Sequence, residues 1–265
     1  VTDVGQAGPM SSCSTNGGER ILLSGTNFGP LSPSGTKSLV DEVTFGPQGR
    51  QYAALACKVT VLSTRLECET PPGIGKRLRF YVVIAGQQSM LSTAELTYAD
   101  PVIESSSTLI IQTDGTLIDL TGTNFGLLVP GLGVRVAFGS TILLASSTKQ
   151  SQSTGKDTVA VNVPPLLDAS SPMVNIRTIL ELSSGSTVVT SMPILLSYAP
   201  PTIEKIFTYE GESAALRMVL QGKNLCGGTS CGAVEVLSQE GEVVGVSRYV
   251  TYSHDRIELE IDVGT

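Results

Sequence analysis

Apolar and polar residues alternate in short runs along most of the chain, and three of these runs end alike. Ile21 and Leu23 lead into Ser24-Gly25-Thr26-Asn27-Phe28-Gly29, Ile118 and Leu120 into Thr121-Gly122-Thr123-Asn124-Phe125-Gly126, and Met218 and Leu220 into Gln221-Gly222-Lys223-Asn224-Leu225-Cys226. A period of two predicts a half-buried β-strand. Gly accepts left-handed backbone angles freely and Asn tolerates them, so each strand is expected to exit into a close turn. The first Gly of each copy returns at about every 100 residues, a common size for a β-sandwich domain. The pattern predicts an all-β array of tandem sandwiches: residues 1–100, residues 101–200, and a partial unit over residues 201–265 that lacks its last strands.

Within the first unit, residues 1–18 read as a loose Gly/Pro/Ser segment and residues 30–38 as a loop. Val43 and Phe45 alternate and stop at Gly46-Pro47. Cys57, Val59 and Val61 face a second run through Leu66 and Cys68, which predicts a hairpin with Val61 opposite Thr64, Val59 opposite Leu66 and Cys57 opposite Cys68. Pro71 and Pro72 end that strand, since Pro has no amide hydrogen for a ladder. Further strands are expected over residues 78–85 and 94–98. The second unit repeats the plan, with Val134, Val136 and Phe138-Gly139, then Val159, Val161 and Val163-Pro164-Pro165. Tyr98-Ala99-Asp100-Pro101 and Tyr198-Ala199-Pro200-Pro201 leave almost no linker, and a short Pro step restricts a hinge more than a Gly/Ser tether does. In the third unit Ile257, Leu259 and Ile261 alternate with charges, and Val263-Gly264 falls where the first unit has Pro71-Pro72. The chain is therefore expected to be part of something longer.

Composition narrows the surface chemistry. The chain has 265 residues, 41% of them hydrophobic, which opposes disorder. Charged residues are 15%, against about 25% in an average domain, and the mean hydropathy is +0.19. The formal charge is −7 with 17 Lys and Arg and no basic cluster, so nucleic acid is not an expected partner. No run approaches the ~20 apolar residues of a membrane span, so direct membrane insertion is not expected of this segment. Val1-Thr2-Asp3 has no signal-peptide character, and a targeting segment would lie outside these residues. Asn16, Asn27, Asn124, Asn162, Asn175 and Asn224 all lack the following Ser or Thr of a glycan acceptor.

Five cysteines bear on compartment. Cys57 and Cys68 are placed for a cross-strand bridge, with two ordinary buried thiols as the alternative. Cys226 and Cys231 flank Gly227-Gly228, whose flexibility suits a small disulfide ring. Two local pairs point to an oxidising environment. Cys13 is left over, to pair upstream or stay free. A zinc site is not expected from cysteines in distant units with a single His. That residue lies in Ser253-His254-Asp255, three triad residue types in a row, but strand neighbours point to opposite faces, so an exposed turn histidine is expected. Gly73-Ile74-Gly75-Lys76 lacks the spacing of a phosphate loop and reads as a plain connection. Asp100 with Glu104, and Glu204 with Glu210, have no ligand-spaced run to make a calcium site and read as solvated charge. No catalytic, cofactor or metal residues are expected.

These motifs resemble the IPT/TIG family of immunoglobulin-like domains, shared by plexins, transcription factors and large surface receptors. The strand into Gly-Thr-Asn-Phe-Gly corresponds to residues 21–29 and 118–126. Val-x-Phe-Gly corresponds to residues 43–46 and 136–139, the run from Ser through Ile-x-Cys-x-Thr-Pro-Pro-Gly to residues 63–73 with Leu66 for Ile, and the closing aromatic-x-x-Pro to residues 98–101 and 198–201. Asn224-Leu225-Cys226 departs from the pattern and leaves that turn's geometry open. The resemblance implies an immunoglobulin-like scaffold that binds proteins and carries no catalytic residues. It is expected to be a structural or adhesive segment of a large surface or filament protein, extracellular, in contact with other protein chains or its own kind. The alternatives are an intracellular DNA-binding or regulatory protein, which the charge opposes, and an accessory domain of a carbohydrate-active enzyme, which the absence of Trp opposes.

Overall fold

The structure, a computed structural model, describes residues 1–6, 12–32, 39–151, 154–166, 175–210, 216–226, 234–237, 239–240 and 243–262. Among them every regular element is a β-strand.

The first unit contains β1 (Asp3–Gln6), β2 (Arg20–Ser24), β3 (Val40–Gly46), β4 (Tyr52–Ala53), β5 (Leu55–Val61), β6 (Arg65–Glu69), β7 (Leu78–Ile84), β8 (Gln87–Gln88) and β9 (Glu95–Leu96). They form two sheets, β1-β2-β6-β5 and β4-β3-β7-β8, with β9 also on β7. Alternation buries Ile21, Leu23, Val43, Phe45 and Leu66 between them. Two expectations need correction. Residues 1–18 are not uniformly loose: β1 pairs antiparallel with β2, and Cys13 makes a parallel bridge to Tyr98, each satisfying backbone groups that an edge would leave open. In the β5–β6 hairpin Val59 does face Leu66, but Val61 pairs with Arg65, not Thr64. Ala56, at φ +50°, lies in a second irregularity, an extra residue that shifts the ladder. A Cys57–Cys68 disulfide ties this hairpin.

The second unit contains β10 (Val102–Ser106), β11 (Ile110–Ile111), β12 (Thr116–Thr123), β13 (Gly133–Phe138), β14 (Thr141–Gln150), β15 (Asp157–Val163), β16 (Ile176–Ser184), β17 (Thr187–Thr190) and β18 (Ile194–Tyr198). Its strands are continuous through β14, whose first half pairs with β13 and whose second half, past a bulge between Ala145 and Ser147, pairs with β15. In the first unit β4 and β5 divide that role. Both units close in the same way: Tyr98 Oη donates to Pro71 O at 2.6 Å and Tyr198 Oη to Pro164 O at 2.8 Å. The last aromatic of each unit thus pins its Pro-Pro loop.

The third unit is one sheet, β19-β20-β23-β22-β21, built from β19 (Thr202–Glu210), β20 (Leu216–Lys223), β21 (Glu235–Leu237), β22 (Val243–Tyr252) and β23 (Arg256–Asp262). Leu220, Ile257 and Leu259 make a small core there, and no second sheet faces it among the described residues.

Candidate functional site: the seams between units

The repeated turn sits at the head of each unit, where the chain enters. Asn27, Asn124 and Asn224 all adopt left-handed angles, at φ +62°, +59° and +56°, so the third turn keeps this conformation although Leu225-Cys226 replaces Phe-Gly. The first Gly answers a different need. A Cβ on Gly122 would lie 1.9 Å from Val102 O, and one on Gly222 would lie 1.8 Å from Thr202 O. The incoming strand crosses the motif there, with no room for a side chain.

The amide after each Asn is tied to the facing turn. Phe28 N donates to Ser63 O at 3.1 Å and Leu225 N to His254 O at 2.9 Å, but Phe125 N donates to the Asp157 carboxylate, Oδ2, at 2.9 Å. Asp157 is only 1% exposed and its Oδ1 has no partner within the protein. Burial pushes its pKa above the ordinary carboxylate value, opposed by the hydrogen bonds from Phe125 N–H and Gln150. The folded unit therefore holds this proton to higher pH than the unfolded chain, and Asp157 should favour folding increasingly as pH falls through the folded-state pKa toward the unfolded one. Comparing thermal midpoints of the native protein and Asp157→Asn across acidic pH should show this gain in the native protein alone. Parallel profiles would count against it.

The first seam is built from the tail of the first unit and the head of the second. Ile74, in the Gly73-Ile74-Gly75-Lys76 loop, is 1% exposed and belongs to the apolar core of the second unit. It approaches the second motif so closely that a Cβ on Gly126 would meet Ile74 Cγ2 at 2.8 Å, with Val129 and Leu132 beside it. Tyr52 positions the loop: its hydroxyl donates to Ile74 O at 2.9 Å and accepts from Ile74 N at 3.1 Å. Around this apolar contact lie polar ties between units. Gln51 Nε2 donates to Ser184 O and Gln51 Oε1 accepts from Thr187 Oγ1, both at 3.2 Å, and Gln150 Nε2 donates to Asn16 Oδ1 at 2.8 Å.

The second seam uses the corresponding ends of the next pair. Thr113, 1% exposed, occupies the place in the second unit that Thr15 holds in the first, each just before a tight turn closed by Gly115 or Gly17. Thr113 N donates to Asn224 Oδ1 at 3.3 Å, Thr113 Oγ1 donates to Cys226 O at 3.0 Å, and the same hydroxyl lies 2.9 Å from His254 Nδ1. Asn224 Nδ2 also donates to Pro200 O at 3.4 Å. The third copy of the turn motif therefore grips the second unit through its Asn.

Several residues expected to be bland lie in these seams. His254 is not an exposed turn residue: its ring is partly buried against Thr113, with Asp114 Oδ1 3.9 Å from Nδ1. Ser253 Oγ is engaged with Asp255 Oδ1 at 2.7 Å. The Gly73–Lys76 loop is a connection, but its Ile is the plug of a seam. Asp100 pairs with Lys76 and Glu104 with Lys156, while Glu204 and Glu210 stand exposed on β19. Cys13 is fully buried in the first core. Cys226 is disulfide-bonded, and Cys231 lies outside the described residues. Reading single motifs missed Gln51, Ile74, Gln150 and Thr113. Aligning the repeats on Thr15-Asn16-Gly17 and Thr113-Asp114-Gly115 would have flagged the tail turn, and an Ile between two glycines was the local signal for the plug.

Comparison with known proteins gives one family. Residues 7–98 match the model of the IPT/TIG domain. No curated protein matches the chain. Among solved structures, the chain is similar to the Escherichia coli adhesin FdeC, at 9% identity and a TM-score of 0.25 over 99% of this chain and 88% of that one. It is similar also to the N-terminal eight Ig domains of Down Syndrome Cell Adhesion Molecule isoform 1.30.30, at 9% identity and 0.23 over 99% and 33%. Domains 4–9 of the surface layer protein SbsC match at 14% identity and 0.17, over 99% and 43%. Superpositions this loose say nothing of what this chain binds. Over residues 7–98, most of the first unit, this chain is thus similar to an IPT/TIG domain, the immunoglobulin-like fold its turn and Pro-Pro motifs announce.

Proposed function

We propose that this chain is a non-catalytic structural and adhesive segment of a larger surface or extracellular protein, in which units over residues 1–100, 101–200 and 201–265 stack end to end as a semi-rigid rod. The observation that carries this reading is the recurrence of the seam: twice, the tail of one unit is held by the turn motif or facing turn at the head of the next. Buried contacts across a Pro-containing step oppose free hinging. The Cys57–Cys68 disulfide supports an oxidising compartment. Lateral contacts with like or unlike surface chains are supported by the low charge fraction and by Ile142 and Leu144, which stand exposed on the corner strand β14. An intracellular DNA-binding role has both the disulfide and the charge of −7 against it. Small-angle X-ray scattering of the chain should report an elongated particle. A compact particle, with units folded back on one another, would overturn the rod and favour a single-ligand receptor head.

A further inference from the structure

The second unit keeps the aromatic floor of the first but lacks the rings that cover it. In the first unit Phe45 pairs with Tyr52 of β4 on one side and with Phe80 of β7 on the other. The Tyr52 ring lies 5.4 Å from that of Phe45 and 5.8 Å, edge on, from that of Tyr98, and Phe80 lies 5.1 Å from Phe45. In the second unit Phe138 and Tyr198 hold the places of Phe45 and Tyr98 and keep nearly the same separation, 6.0 Å against 6.4 Å. The residues paired with Phe138, however, are Thr141, in the place of Tyr52, and Thr178, in the place of Phe80. Neither threonine fills the volume of a ring. Phe138 and Tyr198 are accordingly each 6% exposed, where Phe45 and Tyr98 are 0% and 1%. A cavity of about 520 Å³ is lined by these two rings with Pro164, Pro165, Leu166 and Ile176, and Thr141 and Asn175 stand exposed at its rim. Its lining residues all belong to the second unit, and none of them makes the hydrogen bonds of the second seam.

We propose that this cavity is a binding site for a small uncharged aromatic molecule of the phenol type, whose ring takes the place that Tyr52 fills in the first unit. The chain itself shows what the floor accepts: a ring set edge on or tilted against a Phe and a Tyr, an arrangement that aromatic quadrupoles favour. The hydroxyl follows from the same comparison. Tyr52 Oη both donates and accepts at the Ile74 backbone, and the Thr141 hydroxyl and Asn175 carboxamide at the rim of the second cavity offer both roles to a phenol. A charged ligand is disfavoured, because the floor of rings, prolines and aliphatic side chains would strip its hydration. Arg177 also borders the cavity, but it alternates on β16 with the buried Ile176 and Thr178, so its exposed side chain is directed to the opposite face of the sheet. The volume lies within the range of about 300 to 1,000 Å³ common for small-molecule sites. The site is built within one unit, and the proposal does not rest on the end-to-end reading.

The test is an NMR titration of the full chain, with isoleucine and leucine methyl groups labelled, by p-cresol, the tyrosine side chain as a free molecule. Saturable ring-current shifts are expected at Ile176 and Leu166 with a Kd of about 1 mM, the scale a ligand of this size reaches. Leu78, the counterpart of Ile176 in the first unit, should not move. 4-Methylcyclohexanol, similar in size but without the aromatic ring, should bind about fivefold more weakly. Thr141→Tyr, which supplies the missing ring from the chain, should abolish the shifts and raise the thermal midpoint of the second unit by about 4 °C, while Thr141→Val should leave binding in place. Shifts that survive Thr141→Tyr in a folded second unit would overturn the proposal. The native protein decides the matter without that variant: absence of saturable shifts at Ile176 and Leu166, or equal affinity for 4-methylcyclohexanol, would overturn it too. Tighter binding of N-acetyl-tyrosinamide than of p-cresol would overturn the small-molecule assignment in favour of a tyrosine on a protein partner.

Discussion

Replacing Ile74 by Asp should cost about 4 kcal/mol at the first seam, the range seen when a buried aliphatic group is deleted and a charge must leave an apolar site. Ile74 is anchored in the first unit by Tyr52 yet is counted in the core of the second, so its loss strips Gly126, Val129 and Leu132 of their cover. The polar ties through Gln51 and Gln150 remain, but each hydrogen bond contributes only about 1 kcal/mol net. Calorimetry should show the second unit melting earlier and separately from the first. Ile74→Val, which keeps most of the plug, should cost about 1 kcal/mol and preserve the coupling. If the Asp variant melts as the native protein does, Ile74 is only a lining residue and the seam is held elsewhere.

Removing the Cys57–Cys68 bridge should lower the stability of the first unit by about 3 kcal/mol, as loop-closure entropy gives for a short ring. The bridge closes the β5–β6 hairpin, and Cys68 lies in the first core among Ile21, Leu66 and Tyr98. Cys57→Ala with Cys68→Ala should shift the denaturant midpoint of this unit and leave those of the other units in place. Reduction of the native protein should shift this unit in the same direction and isolate the share of the cross-link, because the two alanines also remove the sulfur contacts. A midpoint unchanged by reduction would mean that β5 and β6 hold their register without it, and the bridge would lose its weight as a sign of an oxidising compartment.

Residue pattern alone determined most of the architecture. Strands follow from alternation because a side chain on a pleated backbone must point either to the core or to water, and Ile21, Leu23, Ile118 and Leu120 are all fully buried. The turn motif was legible for the same local reason: left-handed angles at Asn27, Asn124 and Asn224 are set by steric rules that act on one residue at a time. The pairing of Cys57 with Cys68 was placed by the approximate register of one hairpin. Its bulges were not legible, since an extra residue at Ala56 trades one ladder position for a shifted register, and both sides of that trade depend on neighbours far along the chain.

What only the tertiary structure decided is how one unit meets the next. A period of two says that a residue is buried but not in whose core, so Ile74 looked like a loop residue until it was found in the second unit's core. His254 looked like an exposed turn until Thr113 was found beside it, 141 positions away. These contacts join surfaces from different repeats, and their free energy depends on the geometry of both ends at once. No local propensity encodes that geometry. It exists only where the Pro-containing step brings the tail of one unit against the head of the next.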